Sequence, residues 1–475
     1  MTLQSNANGK PQTQNRPGFA AGSADVYPPS QRYFSATGQA AERYRLHRDL
    51  AWGAFHWFNS DAYPQAHQQD EQAPVYGQHD QRDLSGGWYD GPDYGHYSVT
   101  AAWSIALPLL TWMIRPQALP ERIQPLHSYN PGRPAILDLV RPQLHFLLSL
   151  QRGDGAMHHK LTSAESAALS DAPQADHRTR WLMPVSTTAT ANFAATAHLA
   201  ARAFERSPLA EDWLLAQRCQ TAAKQADQFL DAHLEAIHCL AATSTGSFGQ
   251  AYQDDDERDN RLWAKVARHW SDTQPLHDQH YCRLWELAGT ARLGDDQPGW
   301  QQLNFLALFN FLAMPEQDST LKDALLTRME KTFQAERERQ LTHPYGRLNW
   351  HQGAPKDDHN GTLATLGTQL LWLHQLTGRQ RWYDTAFDLS PWFFGHNPNA
   401  TIWTTGGGET QVQQPRFAPL ISGALQAAPG ILVRGGAAET STVNEPTAAT
   451  DVSAVSIEWQ ASWACYLSLL VAGPR

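Results

Sequence analysis

The chain has 475 residues, with 37 Lys and Arg against 47 Asp and Glu and a formal net charge of -10. That acidic balance excludes a phosphate-binding nucleic-acid protein, which needs a basic face, and hydrophobic residues at 41% exclude disorder along the whole chain. The longest apolar run, residues 102–114, is too short to cross a bilayer and holds Pro108, so no membrane partner is expected, and four cysteines without a CxxC pair make neither a disulfide framework nor a thiolate metal site.

Residues 1–39 are polar, lack apolar periodicity, and are expected to form a flexible arm ahead of a single domain over 40–475. They contain no basic segment followed by an apolar one, so no secretory signal is expected in the sequence as it stands. Apolar residues then recur at helical spacing over 43–58, 97–114 and 137–150, where Arg152-Gly153-Asp154-Gly155 is a stop signal. An Ala-rich helix is expected over 187–204, followed by helices over 213–237, 277–293 and 300–314. Thr320 with Asp323 reads as a capping-box variant opening a helix towards Gln340. Helices over 362–376 and 381–394 end at Gly378 and Gly395, and one over 459–471 follows. Strand-like alternation is nearly absent, so the fold class is all-α. Long connections at 59–86 and 397–452 carry Gly, Pro and aromatic residues, and loops of that length in a compact domain are usually functional. A closed helical toroid with a cleft at one end fits; an α-solenoid competes, but no short repeat supports it.

The densest chemistry lies in Ser85-Gly86-Gly87-Trp88-Tyr89-Asp90-Gly91-Pro92-Asp93-Tyr94-Gly95-His96-Tyr97. Two carboxylates three residues apart, among aromatic residues and turn-forming glycines, suit a base that activates water. The competing reading is an Asx-rich loop that caps the helix beginning near Tyr97.

This segment resembles the Ser-Gly-Gly-Trp-x-Asp-Ala-Gly-Asp-Tyr-Gly-Lys-Tyr stretch of glycoside hydrolase family 9, the family of many endoglucanases. Further matches follow in the same order: Asp154-Gly155 with His158-His159-Lys160, Ser186 to Thr190 with Phe193-Ala194-Ala195, and Phe394-Gly395-His396-Asn397-Pro398. Thr404 to Gly408 and Pro429 to Val433 with Gly435-Gly436 complete the series. The resemblance implies an (α/α)6 barrel and hydrolysis of a β-glycosidic bond with inversion, Asp93 acting as general base and Asp90 helping to hold the water. It further implies substrate contacts at Trp88, Tyr89, Tyr94 and His158, and at Trp350, His351, Trp403, Arg416 and Trp459.

The departures are specific. The family closes on Asn-Glu-x-x-Ile-x-Trp-Asn-Ala, with the Glu as general acid, where this chain reads Ser453-Ala454-Val455-Ser456-Ile457-Glu458-Trp459-Gln460-Ala461. Ala454 therefore stands where the acid belongs. An Ala methyl cannot protonate a leaving oxygen, so the expectation is a hydrolase inactivated Glu→Ala at 454; the alternative is a naturally non-catalytic glycan-binding protein. Replacement acids at Glu458, Glu445, Asp451 or Glu409 read as solvated loop or surface carboxylates, with Glu458 one helical turn from Ala454. The family's Pro-His-His-Arg stretch is Gln413-Gln414-Pro415-Arg416 here, which points away from an ordinary cellulase towards another β-linked glucan or exopolysaccharide.

Of the 18 Trp, Trp88, Trp350 and Trp403 are expected beside the cleft as sugar platforms, while Trp52, Trp112, Trp285, Trp372 and Trp463 are expected in the core. No cofactor is expected; calcium at Asp254 to Glu257 is the exception the resemblance admits, against a solvated acidic loop. The partner expected is an oligo- or polysaccharide, the chain a monomer, and the compartment extracellular or periplasmic, with cytoplasmic as the alternative.

Overall fold

The computed structural model describes residues 39–125, 130–239, 248–249, 251–272, 275–290, 298–315, 318–343, 345–348, 359–407, 411–412, 414–435 and 452–474. The arm expected over 1–39 falls, but for its last residue, outside them. Helices of ten or more residues are α1 (Gln39–Gly53), α2 (Ser98–Ile114), α3 (Ala135–Ser149), α4 (Thr187–Phe204), α5 (Ala210–Ala232) and α6 (Arg258–Asp272). They continue as α7 (Asp278–Thr290), α8 (Asn304–Ala313), α9 (Ser319–Thr342), α10 (Asn360–Thr377), α11 (Gln380–Phe393) and α12 (Ile457–Ala472).

The even-numbered helices form the inner wall. α2 packs on α4, α4 on α6, α6 on α8, α8 on α10, α10 on α12, and α12 returns to α2, which closes the ring. The odd-numbered helices lie outside, α5 against α4 and α11 against α10. This is the (α/α)6 barrel. Inner helices are buried on nearly every face: α4 has Thr187, Ala191, Ala195 and Leu199 all at or below 1% exposure. A helix surrounded by other helices must be apolar or small all round, which is why α2 and α4 read so strongly in the sequence. Beside that closure, Gln460 of α12 ties down the outer helix α1 and the loop at residues 430–432. Its amide nitrogen donates to the Ala51 carbonyl at 2.7 Å and the Gly430 carbonyl at 3.1 Å, and its amide oxygen accepts the Leu432 N–H at 3.0 Å. Trp52 Nε1 donates to Ser468 Oγ at 2.8 Å beside it.

Two expectations are corrected here. α6 was not anticipated, because its apolar positions (Leu262, Trp263, Val266, Ala267 and Trp270) alternate with charges straight after the acidic run at 254–257. The cap of α9 is Asp318, whose carboxylate accepts the Thr320 N–H at 2.7 Å, rather than Thr320 itself. The few strands are two to four residues long and join the loops into antiparallel ribbons, such as His96–Tyr97 with Lys160–Ser163 and Arg180–Leu182.

Gly430 illustrates how tightly the loops lie on the barrel. Its φ is +90°, and a Cβ there would run into the Leu50 carbonyl. Gly430→Ala should therefore cost about 2 kcal/mol or more, seen as a lower urea midpoint; an unchanged midpoint would mean that the loop shifts freely.

Candidate active site

The loops that precede the inner helices converge at one end of the ring, and the chemistry-bearing residues come from them. The segment before α2 carries the carboxylate pair. The Asp90 N–H donates to the Gly95 carbonyl at 2.8 Å, and the Gly95 N–H donates to Asp93 Oδ1 at 3.0 Å, so residues 90–95 close on themselves. Tyr94 takes a left-handed φ of +58° within that turn. Gly91 leaves room for the chain ahead of α12: a Cβ there would sit 2.7 Å from the Val455 carbonyl, while the Ile457 N–H donates to the Asp90 carbonyl at 2.7 Å.

Each carboxylate has its own tyrosine. Tyr97, at the mouth of α2, donates its hydroxyl to Asp93 Oδ2 at 2.6 Å. Tyr252, before α6, donates to Asp90 Oδ2 at 2.6 Å, and the two rings meet edge to face at 4.7 Å. Gly249 backs this arrangement, since a Cβ there would meet the Tyr97 hydroxyl and come within 3.3 Å of Asp93 Oδ2. Asp90 is buried and Asp93 partly open. Burial pushes the Asp90 carboxyl up to about 7, opposed by hydrogen bonding from Thr100 and Tyr252 and reinforced by the Asp93 charge. Lys160 lies over the Tyr97 ring at 5.7 Å; burial lowers its ammonium pKa, partly offset by Asp93.

The opposite end of the sequence completes the site. Ala454 is half-buried in an extended segment: its carbonyl accepts the Arg434 N–H at 2.7 Å, and the Arg416 N–H donates to the Ser453 carbonyl at 2.7 Å. Residue 454 thus lies beside the Asp90 loop rather than on the outer surface. Glu458 is a correction. Because α12 begins only at Ile457, capped by Ser456, Glu458 is not one helical turn from Ala454. Nor is it solvated: it is 8% exposed, and its Oε1 accepts the Trp300 N–H at 2.7 Å. Burial, helped by the Asp90 charge, pushes its carboxyl up to about 8. Glu445, Asp451 and Glu409 lie outside the described residues.

The aromatic residues separate differently from expectation. Trp88 is buried with its ring on Phe55 at 5.1 Å, and Trp403 is fully buried, so both are core side chains. Tyr89 is buried with its hydroxyl 2.6 Å from His67 Nδ1, and the Tyr94 hydroxyl donates to the Asp171 carbonyl at 2.8 Å. His158 is buried and donates from Nδ1 to the Met183 carbonyl at 2.7 Å. Those three side chains hold loops and present little surface to a sugar. Trp350 and His351 lie outside the described residues. Trp459 is half-buried, its ring 4.6 Å from that of His359, and lines a cavity of about 440 Å³ with Trp300, Tyr252, Arg434 and Glu458. Trp52, Trp372 and Trp463 are in the core, but Trp285 is 42% exposed beneath the Arg328 guanidinium at 5.0 Å. Tyr252, Trp300, His359 and Arg434 were missed, since each is an isolated residue in a loop whose position only the closed ring defines.

The acidic run is engaged internally. Asp254 Oδ1 accepts the Asp256 N–H at 3.0 Å, Asp256 pairs with Arg258 and Glu257 with Arg261. Among the described residues, no group of three or more His, Cys, Asp or Glu is disposed to hold a metal ion.

Several buried carboxyls carry raised pKa values: Asp90 and Asp259 about 7, Glu458 about 8. Each keeps a proton in the folded chain at pH values where the unfolded chain has lost it, so folded stability falls as pH rises. The buried His47 and His159, lowered by burial to about 4, oppose this only below pH 6.5. The melting temperature should therefore drop between pH 6.5 and 8. Glu458→Gln, which has no proton to lose, should flatten part of that drop; an identical slope would contradict the burial of this carboxyl.

Comparison with known proteins agrees with this fold. The family model for glycosyl hydrolase family 9 matches residues 33–467. Endoglucanase D of Acetivibrio thermocellus is 26% identical over 377 residues, covering 76% of this chain and 57% of that protein. A xyloglucan-specific endo-beta-1,4-glucanase of Bacteroides ovatus is 25% identical over 398 residues, covering 79% and 65%. The matched chain thus spans less than two thirds of the length of these relatives. Among solved structures, the family 9 endoglucanase J30 superposes with a TM-score of 0.75 at 22% identity, over 90% of this chain and 85% of that one. A metagenome-derived family 9 endoglucanase gives 0.75 at 24% identity, over 90% and 81%. With its barrel closed, its paired aspartates each held by a tyrosine, and 435 consecutive positions matched by one family model, the chain belongs to glycosyl hydrolase family 9.

Proposed function

We propose that the chain hydrolyses a β-linked glucan or a related exopolysaccharide with inversion at the anomeric carbon, and that it does so slowly because position 454 carries no acid. The observation that carries this reading is the pair Asp90 and Asp93, each accepting a tyrosine hydroxyl at 2.6 Å where the loops converge. Asp93, the more open of the two, takes the proton of the attacking water, and Asp90 helps to hold that water in line. Burial holds the Asp90 carboxyl up at about 7, with the nearby Asp93 adding to the effect. In an inverting site the acid stands about 6.5–9.5 Å from the base, leaving room for water, and in this family reading that place belongs to residue 454. The β-glucan preference is supported by the names of the relatives, an endoglucanase and a xyloglucan-specific endo-beta-1,4-glucanase. Acting on a polymer, the chain is proposed to work in the medium or the periplasm.

Ala454 itself favours a second reading, a glycan-binding protein on a hydrolase scaffold. Screening the chain and its Ala454→Glu variant against carboxymethylcellulose, xyloglucan and mixed-linkage glucan separates the two. Release of oligosaccharides born as α-anomers, followed by proton NMR, supports the hydrolase; binding without release by either protein supports the alternative.

A further inference from the structure

With no carboxyl at 454, the leaving oxygen has no donor at the family's usual place, yet a second carboxyl enters the same region. Glu458 lines the 440 Å³ cavity with Tyr252, Trp300, His359, Arg434 and Trp459, aromatic faces with a few polar groups, as sugar-sized ligands require. Tyr252 connects that cavity to the catalytic pair: its hydroxyl is on Asp90 at 2.6 Å, and its ring meets Trp300 edge to face at 5.0 Å. The Trp300 N–H in turn donates to Glu458 Oε1 at 2.7 Å, and among the described residues no other hydrogen bond engages this carboxyl. The arrangement fixes one oxygen as acceptor and leaves the other to carry a proton.

We propose that Glu458 is the proton donor of this chain, replacing the acid absent from position 454. The inference rests on the hydrolase reading above. The Glu458 O–H bond breaks and its proton goes to the glycosidic oxygen as the C1–O bond opens. Water bonds to C1 from the other face and loses its proton to Asp93. Solvent then returns a proton to Glu458 and removes one from Asp93, so the sum is addition of one water across the bond. Burial keeps Glu458 protonated to about pH 8, helped by Asp90. Of its other neighbours, His359 is held neutral by burial, with Arg434 and Arg347 adding to the effect, and Arg434 lines the cavity.

The test is Glu458→Gln, whose amide oxygen still accepts the Trp300 N–H but which has no acidic proton. Hydrolysis of cellopentaose or xyloglucan oligosaccharides should fall about 10²–10⁴-fold, and the loss of activity above pH 8 expected of the parent should be absent from the residual rate. Hydrolysis of 2,4-dinitrophenyl β-cellobioside, whose leaving group needs no proton, should persist and so report an intact fold. Combined with Ala454→Glu, the same substitution should cost far less, because the restored acid bypasses it. An equal loss on both substrates, or no loss on either, overturns the proposal. So does a parent without turnover whose Ala454→Glu variant is active, which leaves the hydrolase reading standing. Inactivity of both proteins on every glycan removes that reading as well.

Discussion

The Ala454→Glu variant should hydrolyse its preferred β-glucan oligosaccharide faster than the chain as it stands, and in the Glu458→Gln background, where no other acid acts, the gain should reach about 10²–10⁴-fold, the contribution of one positioned acid. The expectation rests on how the backbone holds this position. Residue 454 is fixed by its carbonyl on the Arg434 N–H and by its neighbour's carbonyl on the Arg416 N–H, both at 2.7 Å. Three residues later, the Ile457 N–H on the Asp90 carbonyl locks the same segment to the loop that carries Asp90 and Asp93. No part of that frame depends on what side chain position 454 presents, and its half-buried setting leaves a carboxylate partly solvated. The gain should appear in kcat more than in KM, because protonation of the leaving oxygen matters only in the transition state. A folded variant with no gain on any glucan would remove residue 454 from the acid's place.

The second large effect is expected from Asp93→Asn. In the Ala454→Glu background it should lower turnover about 10²–10⁴-fold while oligosaccharide affinity changes little. Asn keeps an oxygen for the Gly95 N–H and a polar group for the Tyr97 hydroxyl, so the loop's hydrogen bonds at 3.0 and 2.6 Å have replacements. What it loses is the capacity to accept the water's proton. Azide, which needs no base, should restore bond cleavage and give a glycosyl azide of inverted configuration, readable by NMR. Full activity of Asp93→Asn would place the base elsewhere; Asp90 is then the next candidate.

The barrel was largely legible in the sequence because an inner helix must be apolar or small on every side, and residues 98–114 and 187–204 announce that without tertiary information. α6 was not legible, since its apolar stripe is interleaved with Arg, Lys and His. The Asp90–Asp93 pair could be read because it is local, spanning four residues. Trp88 and Trp403 misled for the converse reason: whether a loop ring faces a cleft or turns inward is a property of packing and not of position. Glu458 was misread as a surface carboxylate because the group that covers it, the Trp300 backbone, comes from 158 residues away.

The Gln460 junction bears on how this protein is made. Its amide joins residues 409 positions apart, with Trp52 and Ser468 paired 416 apart beside it. A ribosome therefore exposes α1 and α2 long before the helix that covers them exists. Through most of synthesis the ring is an open crescent with one apolar flank uncovered, the kind of nascent surface that chaperones hold or that aggregates. A nonsense codon anywhere before residue 457 does not trim a tail; it leaves the crescent permanently open.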